Sequence, residues 1–445
     1  MIIDESLIKN GIEVSLLAEL IQMHESRNDR YCLLERYYRG EHDILKRERT
    51  SDSANNKIVC NHAKYITDMV TSYVAGNSVT YSTTDEYDIS AIRRAYDEQD
   101  IASIDNEVVK SASIFGRIYE LVYADEGSKP RSMLVDPRNA FVVYGNTAKN
   151  IPLFGVYYYK RYDLQGSCIG VVCNVYTKDT ISGYANNTDA WVGMELQERA
   201  SHYFGKVPLL EYVNNNECQG DFEQLISLID AYNVLQSDRV NDKEQFVDAF
   251  LFLTGIEIDS EQAKKLKQER ILLGYEGAKA EYLSKVMKEA DIEVLRDCIK
   301  NDIHRLSMVP DMSDDEFGSN LSGVAIKYKL MGFEQLAKMK ERSIAKTLRS
   351  RLELYGNFLS IKGVMSVVPV YEIDIVFARN LPVNELEVSE MISNLTDIVS
   401  KETLLSQLSF VADPKEEVKA VKKEQEEKQL SRIKEIEEMA SGGGY

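Results

Sequence analysis

Two stretches of helical period, each longer than a compact domain ordinarily uses, constrain this fold more than any other feature. Leu225, Leu228, Ile229, Tyr232, Leu235, Phe246 and Phe250 recur at helical spacing. They predict a helix of roughly 28 residues, about 42 Å at 1.5 Å per residue. Asp221 is expected to open it as N-cap, with Gln224 in the capping-box position three residues on. A longer run covers about Gly323–Tyr355, with Leu330, Phe333, Leu336, Ile344, Leu348, Leu352 and Tyr355 as its apolar stripe. Helices of globular proteins average three or four turns. Rods longer than that read as struts leaving a body and returning to it.

The remaining pattern supplies the body. Helical spacing marks Leu16–His24, a second helix closed by Gly40, and Asn61–Val74 ending at the C-cap pair Gly76-Asn77. From Gly116 the period changes to two, and about Arg117–Tyr212 reads as one antiparallel β-rich module. After the first strut comes a small α/β excursion, with strands Gly255–Ile258, Arg270–Leu273 and Glu281–Leu283 and a helix Ser260–Gln268. A returning helix, Ile292–Met308, stops before Pro310, and an acidic polar loop, Asp311–Asn320, leads into the long helix. Val367–Val376 is a strand rejoining a sheet, with Pro369 implying an edge or an end. The tail, Asn384–Met439, is helical and increasingly charged, and Ser441–Tyr445 is expected to be disordered. The class is α+β.

Charge and cysteine content exclude several functions. The 445 residues carry 53 Lys and Arg against 72 Asp and Glu, a net charge of −19. That balance argues against a body that grips nucleic acid tightly and against docking on an anionic membrane. No apolar run approaches a membrane span, and the N-terminus lacks the pattern of a secretory signal. Cys32, Cys60, Cys168, Cys173, Cys218 and Cys298 form no CxxC pair, so free thiols in a reducing compartment are expected rather than disulfides or zinc.

Chemical motifs are missing as well. There is no phosphate-binding loop, dinucleotide fingerprint, HExxH or GxSxG, and the five histidines are dispersed. No cofactor, metal or catalytic residue is assigned. Asp311-x-Ser313-x-Asp315 has the start of a calcium loop, but glycine falls at the eighth position and Ser322 at the twelfth. The long helix is the one basic region. Between Lys327 and Arg351 it holds eight Lys and Arg and only Glu334 and Glu341, and Lys338, Arg342, Lys346 and Arg349 share a face. That face suits either a solvated or intersubunit ion-pairing surface or contact with phosphates. No aromatic residues interleave with these charges as a base-stacking platform requires.

Several segments carry a family resemblance. They are Tyr37-Tyr38-Arg39-Gly40-Glu41-His42-Asp43-Ile44; Asn56-Lys57-Ile58-Val59-Cys60-Asn61 running on to Gly76-Asn77-Ser78-Val79; Val135-Asp136-Pro137; and Val207-Pro208-Leu209 followed by Asp230-Ala231-Tyr232-Asn233 and Ser237. Over about residues 35–360, their order and the strut–excursion–strut–loop–helix plan resemble the portal proteins of long-tailed bacteriophages, in the branch common to Gram-positive hosts.

The resemblance implies a portal fold with a wing body at 1–220, to which strand 367–376 returns. It implies stem helices at 221–250 and 291–309, a clip at 251–290, a tunnel loop at 310–322, a channel helix at 323–357 and a helical crown at 380–445. It further implies a dodecameric ring at a capsid vertex of the virion, assembled in host cytoplasm. Double-stranded DNA passes such a ring without sequence specificity during packaging and ejection. The implied partners are the terminase large subunit, head-completion or adaptor proteins, and major capsid and scaffold proteins. Asp311, Asp314, Asp315, Glu316 and Asn320 would belong to the tunnel loop, Lys338, Arg342, Lys346 and Arg349 to the channel helix, and Lys264, Lys265 and Lys267 to the clip's partner surface. A non-ring helical scaffold or adaptor of virion assembly, or a cytoplasmic enzyme with a dispersed site, are the competing readings. The surplus acidity fits a conduit, because a wall that bound phosphates strongly would stall their passage.

Overall fold

The computed structural model describes residues 1–9, 11–49, 54–83, 87–147, 150–247, 250–254, 279–283, 289–312, 323–379, 385–396, 398–408, 411 and 414–441. Its centre is strand β3 (Arg117–Ala124), whose two faces enter different cores. Ile118 and Val122 point to a helical core, while Tyr119 and Leu121, one step out of phase, point to a β core. The single β module expected over 117–212 is therefore two sheets. One is three-stranded, with β3 between β10 (Leu209–Val213) and β4 (Pro130–Val135).

The other has six strands: β1 (Ile2–Ile3), β5 (Ala140–Gly145), β6 (Pro152–Tyr162), β7 (Cys168–Tyr176), β8 (Thr180–Asn186) and β9 (Glu195–Ser201). It is antiparallel except at β1, which pairs parallel with β5, Ile2 opposite Tyr144. Helix α1 (Val14–Glu25) closes one face with Leu17, Leu20, Ile21 and His24. His24 Nδ1 lies 2.8 Å from the Tyr158 hydroxyl, and burial pushes its pKa down to about 3.

The helical core holds α2 (Asn28–Arg39), α3 (His62–Ala75), α4 (Ser90–Asp97) and α5 (Ile101–Phe115). Gly40 closes α2 in the left-handed region at φ 86°, as expected. Asn61 caps α3 by accepting from the Lys64 amide, but Gly76 stays right-handed at φ −68° and makes no left-handed cap. Gly116, at φ 81°, is obligatory, because an added Cβ would lie 2.0 Å from the Cys218 carbonyl oxygen.

The struts differ in their ends. The first, α6, spans Ile226–Val247, preceded by a 3-10 turn at Glu223–Leu225, and is 22 residues long rather than 28. Asp221 does not cap it, being drawn instead to Lys340, and it is Glu223 that accepts from the Gly220 amide at 3.0 Å. Phe250 has left the helix for β11 (Phe250–Thr254), which pairs antiparallel with β12 (Lys279–Leu283). The strands expected at 255–258 and 270–273 and the helix at 260–268 lie outside the described residues. The second strut, α7, spans Glu289–Ser307, and the long helix, α8, spans Gly323–Ile361. The expected strand 367–376 shortens to β13 (Ile373–Val376) behind a 3-10 turn that Pro369 opens, and it pairs with β2 (Thr80–Thr83). The tail contains α9 (Glu385–Leu395), α10 (Lys401–Leu405) and α11 (Pro414–Ser441).

An extended strap fastens the first strut. The backbone amides of Asn56, Ile58 and Cys60 donate to Asn241 Oδ1 (2.7 Å), Ser237 Oγ (2.9 Å) and Asn233 Oδ1 (2.8 Å). Two residues of extended chain advance about 6.6 Å and four residues of helix about 6.0 Å, so alternate amides meet side chains four apart. All three α6 side chains are fully buried. Asn233 also donates to His42 Nδ1 (2.7 Å), which fixes the tautomer whose Nε2–H donates to the Tyr37 carbonyl (2.9 Å). Arg47 and Arg49 converge on Asp238 from the same strap.

Two outcomes follow from this packing. Asn233→Ala leaves the Cys60 amide and His42 Nδ1 without partners, and is expected to cost about 1–3 kcal/mol in denaturant unfolding. His24 refuses in the folded chain a proton that the unfolded chain accepts near pH 6.5, so stability falls as pH drops below that value. The loss at pH 5 is about 2 kcal/mol, measurable as a falling thermal midpoint whose slope His24→Gln reduces.

Candidate functional site

Helix α8 joins the body to the acidic loop, and its two sides do different work. The inner side alternates apolar with polar anchors. Ile344, Leu348, Leu352 and Tyr355 enter the helical core. Between them Lys340 donates to Asp221 (2.6 and 2.7 Å) and to Asn214, Ser343 to the Val213 carbonyl (2.6 Å), and Thr347 to the Glu211 carbonyl (3.0 Å). Farther along, Asn357 donates to the Phe204 carbonyl at 3.0 Å.

Arg351 is the deepest anchor. Fully buried, it donates to Asp105 (2.6 Å), Glu120 (3.4 Å) and the Tyr81 hydroxyl (2.8 Å), with its guanidinium 5.2 Å from the Tyr96 ring centre. Tyr212 donates to Glu120 at 2.5 Å. Burial opposes the Arg351 charge, but the two carboxylates outweigh it and hold the guanidinium protonated. Burial raises the Asp105 pKa against the pull of Arg351, and lowers that of Lys340 against the pull of Asp221. Two of the eight basic residues counted along this helix are thus internal anchors. Their signal was legible as phase, since positions 340 and 351 fall in line with 344 and 348.

The outer side keeps the expected face. Lys338, Arg342, Lys346 and Arg349 are all exposed, together with Tyr328, Met331 and Met339. Lys338 sits 3.4 Å from Glu334, and Arg342, Lys346 and Arg349 make no ion pair among the described residues. A lateral clamp completes the mount: Arg379 pairs with Glu334 (3.1 Å) and Glu341, and the Tyr73 hydroxyl donates to Glu334 at 2.6 Å.

At the entrance to the loop, Asp311 lies folded back on α7. It is half-buried, 2.9 Å from Lys300. The Tyr65 hydroxyl donates to the Pro310 carbonyl (2.9 Å) and accepts from the Met312 amide (3.0 Å). His62 and His304 meet edge to face at 5.8 Å beside it, an approach invisible in the linear order, and burial lowers His62 to a pKa of about 4. Asp314, Asp315, Glu316 and Asn320 lie outside the described residues, as do Lys264, Lys265 and Lys267. Among the described residues no group of His, Cys, Asp and Glu is placed to hold a metal, and no helix is long and apolar enough to cross a membrane.

This arrangement has relatives. The chain matches the family described as phage portal protein, SPP1 Gp6-like, over residues 17–430. It belongs to that family. It is 25% identical to the portal protein of Bacillus phage SPP1 over 426 residues, 87% of this chain and 82% of that one. It is 20% identical to the portal protein of Clostridium phage phiCD119 over 439 residues, covering 91% and 94% of the two chains. Among solved structures it is similar to a chain of the virion of a native gene transfer agent particle, at a TM-score of 0.42 and 11% identity, covering 78% of this chain and 89% of that one. The chain is thus a phage portal-family protein, and the portal family is structural rather than enzymatic.

In this portal-family chain, Arg351→Met leaves Asp105 and Glu120 buried without their cation. The expected loss is about 3–5 kcal/mol in chemical unfolding, and Asp105→Asn added to it recovers part of that loss.

Proposed function

We propose that the chain assembles into a ring, most simply a dodecamer, at a capsid vertex. It serves there as a conduit for DNA entry and exit and as a docking platform for the terminase large subunit, head-completion proteins, and capsid and scaffold proteins. The observation that carries this reading is the family match over residues 17–430, which takes in body, both struts, loop and long helix together. The net charge of −19 supports it, because an acidic wall leaves a polyanion free to move. In this reading 1–220 is the wing, rejoined by the β13 segment. The stem is 221–250 and 291–309, the clip 251–290 with Lys264, Lys265 and Lys267 toward its partners, the tunnel loop 310–322, the channel helix 323–357, and the crown 380–445. The chain needs no catalysis of its own, since the motor it docks supplies the work.

Two particulars of the structure refine the assignment. The strap and the buried Arg351 cluster tie strut and channel helix to one body, as a channel wall under load requires. Asp311 is held by Lys300 at the loop's base, so the lumen charge of the loop is assigned to Asp314, Asp315 and Glu316.

Negative-stain imaging of the purified chain, alone and co-expressed with capsid and scaffold proteins, is expected to show rings with a central hole. A 50 kDa monomer under every one of those conditions would sink the conduit. Replacing Asp314, Asp315 and Glu316 together by Lys is expected to lower the DNA retained per particle, measured as protected genome length. Unchanged packaging and retention would remove the loop from the electrostatics.

A further inference from the structure

The outer face of α8 stands directly opposite its anchored side. Lys340, Ile344, Leu348, Arg351 and Tyr355 face inward, and half a turn away lie Met331, Lys338, Arg342, Lys346 and Arg349. Nothing in the described body covers it. Its composition is unusual for a solvated helix face: Met339 is 67% exposed beside three cations that have no ion-pair partner among the described residues, and Met331 (58%) and Tyr328 (73%) carry the exposed apolar surface on toward the helix start. Tyrosine, methionine and arginine are the residues enriched where protein surfaces meet.

Two occupants have the charge to lie there, nucleic-acid phosphates and an acidic protein surface. The apolar side chains decide between them, because Tyr328, Met331 and Met339 gain nothing against a hydrated polyanion and bury well against a protein. Charge supplies the second argument. Three bare cations stand in a chain of net charge −19, so a like copy carries the complementary sign. The same chain also presents surface of matching make-up, for on α7 Val294, Leu295 and Leu306 are exposed beside Glu293 and Asp302. The face is held rigid by the buried anchors beneath it, so little order is lost when it docks.

We propose that the outer face of α8 is an interface with the acidic surface of a second copy of this chain, and that Arg342, Lys346 and Arg349 are its ion-pairing residues. The contact is heterologous, one surface meeting a different surface on the neighbour, which is the kind that closes a ring. The inference rests on the ring reading above and adds which residues join the copies.

The test is charge reversal, Arg342→Glu with Lys346→Glu and Arg349→Glu, in the full chain. Far-UV circular dichroism and the unfolding midpoint are expected to stay near those of the unaltered chain, because none of the three side chains is buried. Sedimentation velocity across a concentration series is expected to show assembly weakened by at least about tenfold, equivalent to ~1.4 kcal/mol. Met339→Asp, which leaves the three cations in place, is expected to weaken assembly as well. If both variants assemble like the unaltered chain, the inference fails while the ring reading stands. If the triple variant assembles normally but its particles lose DNA or package less, the face meets phosphates and the proposal is overturned. If the unaltered chain forms no oligomer in any condition, the ring reading itself falls, and this interface with it.

Discussion

The guanidinium of Arg351, enclosed by Asp105, Glu120, Tyr81 and Tyr96, is the contact on which the rest of the architecture depends. It binds four elements distant in sequence: β2 through Tyr81, α5 through Asp105, β3 through Glu120, and α8 itself. A cation enclosed in that way is expensive unless every partner is in place. It therefore selects one seating of the long helix and rejects neighbouring registers, where a charge would face apolar side chains. Lys340 repeats the device three turns earlier with Asp221. The apolar stripe supplies most of the attraction, and the two buried cations fix where along the groove the helix comes to rest.

How much of this was legible in the sequence depended on range. Helix existence, the long rods, the last four residues of the strand expected at 367–376 and the basic outer face are local patterns, and periodicity alone recovered them. Asp221 shows the limit. Its spacing to Gln224 satisfies a capping pattern, yet a lysine 119 residues away outbids the helix terminus for its carboxylate. The division of the β region into two sheets was hidden for a related reason. β3 is buried on both faces, so Tyr119, Leu121 and Val122 read as one continuous strand without revealing that they serve two cores. The encounter of His62 with His304 likewise needs the third dimension.

The family motifs acquire physical content from the same geometry. The Asn-Lys-Ile segment and the Asn233–Ser237 segment look like unrelated signatures in the linear chain. In space they are the two halves of one clasp, since the amides of Cys60 and Ile58 are satisfied by Asn233 and Ser237, and that of Asn56 by Asn241 one turn farther along the helix. His42, from the Tyr-Arg-Gly-Glu-His element, completes it by accepting from Asn233. Three motifs therefore report one constraint, the need to satisfy an extended backbone lying against a helix with no strand beside it.

That clasp also measures. Its two components have nearly but not quite equal pitch, with a difference of about 0.6 Å per rung. Over the three rungs the drift reaches about 1.2 Å, close to what hydrogen-bond geometry absorbs, so a fourth rung would have no good partner. The clasp behaves as a vernier scale: only one axial position of the strut brings all its marks into coincidence. Slide α6 by one turn and Ile229 comes opposite an amide that it cannot satisfy. The strut is thus indexed to the body to within a fraction of a residue. In an assembly of many copies, that precision is what allows separately folded chains to present struts of equal height.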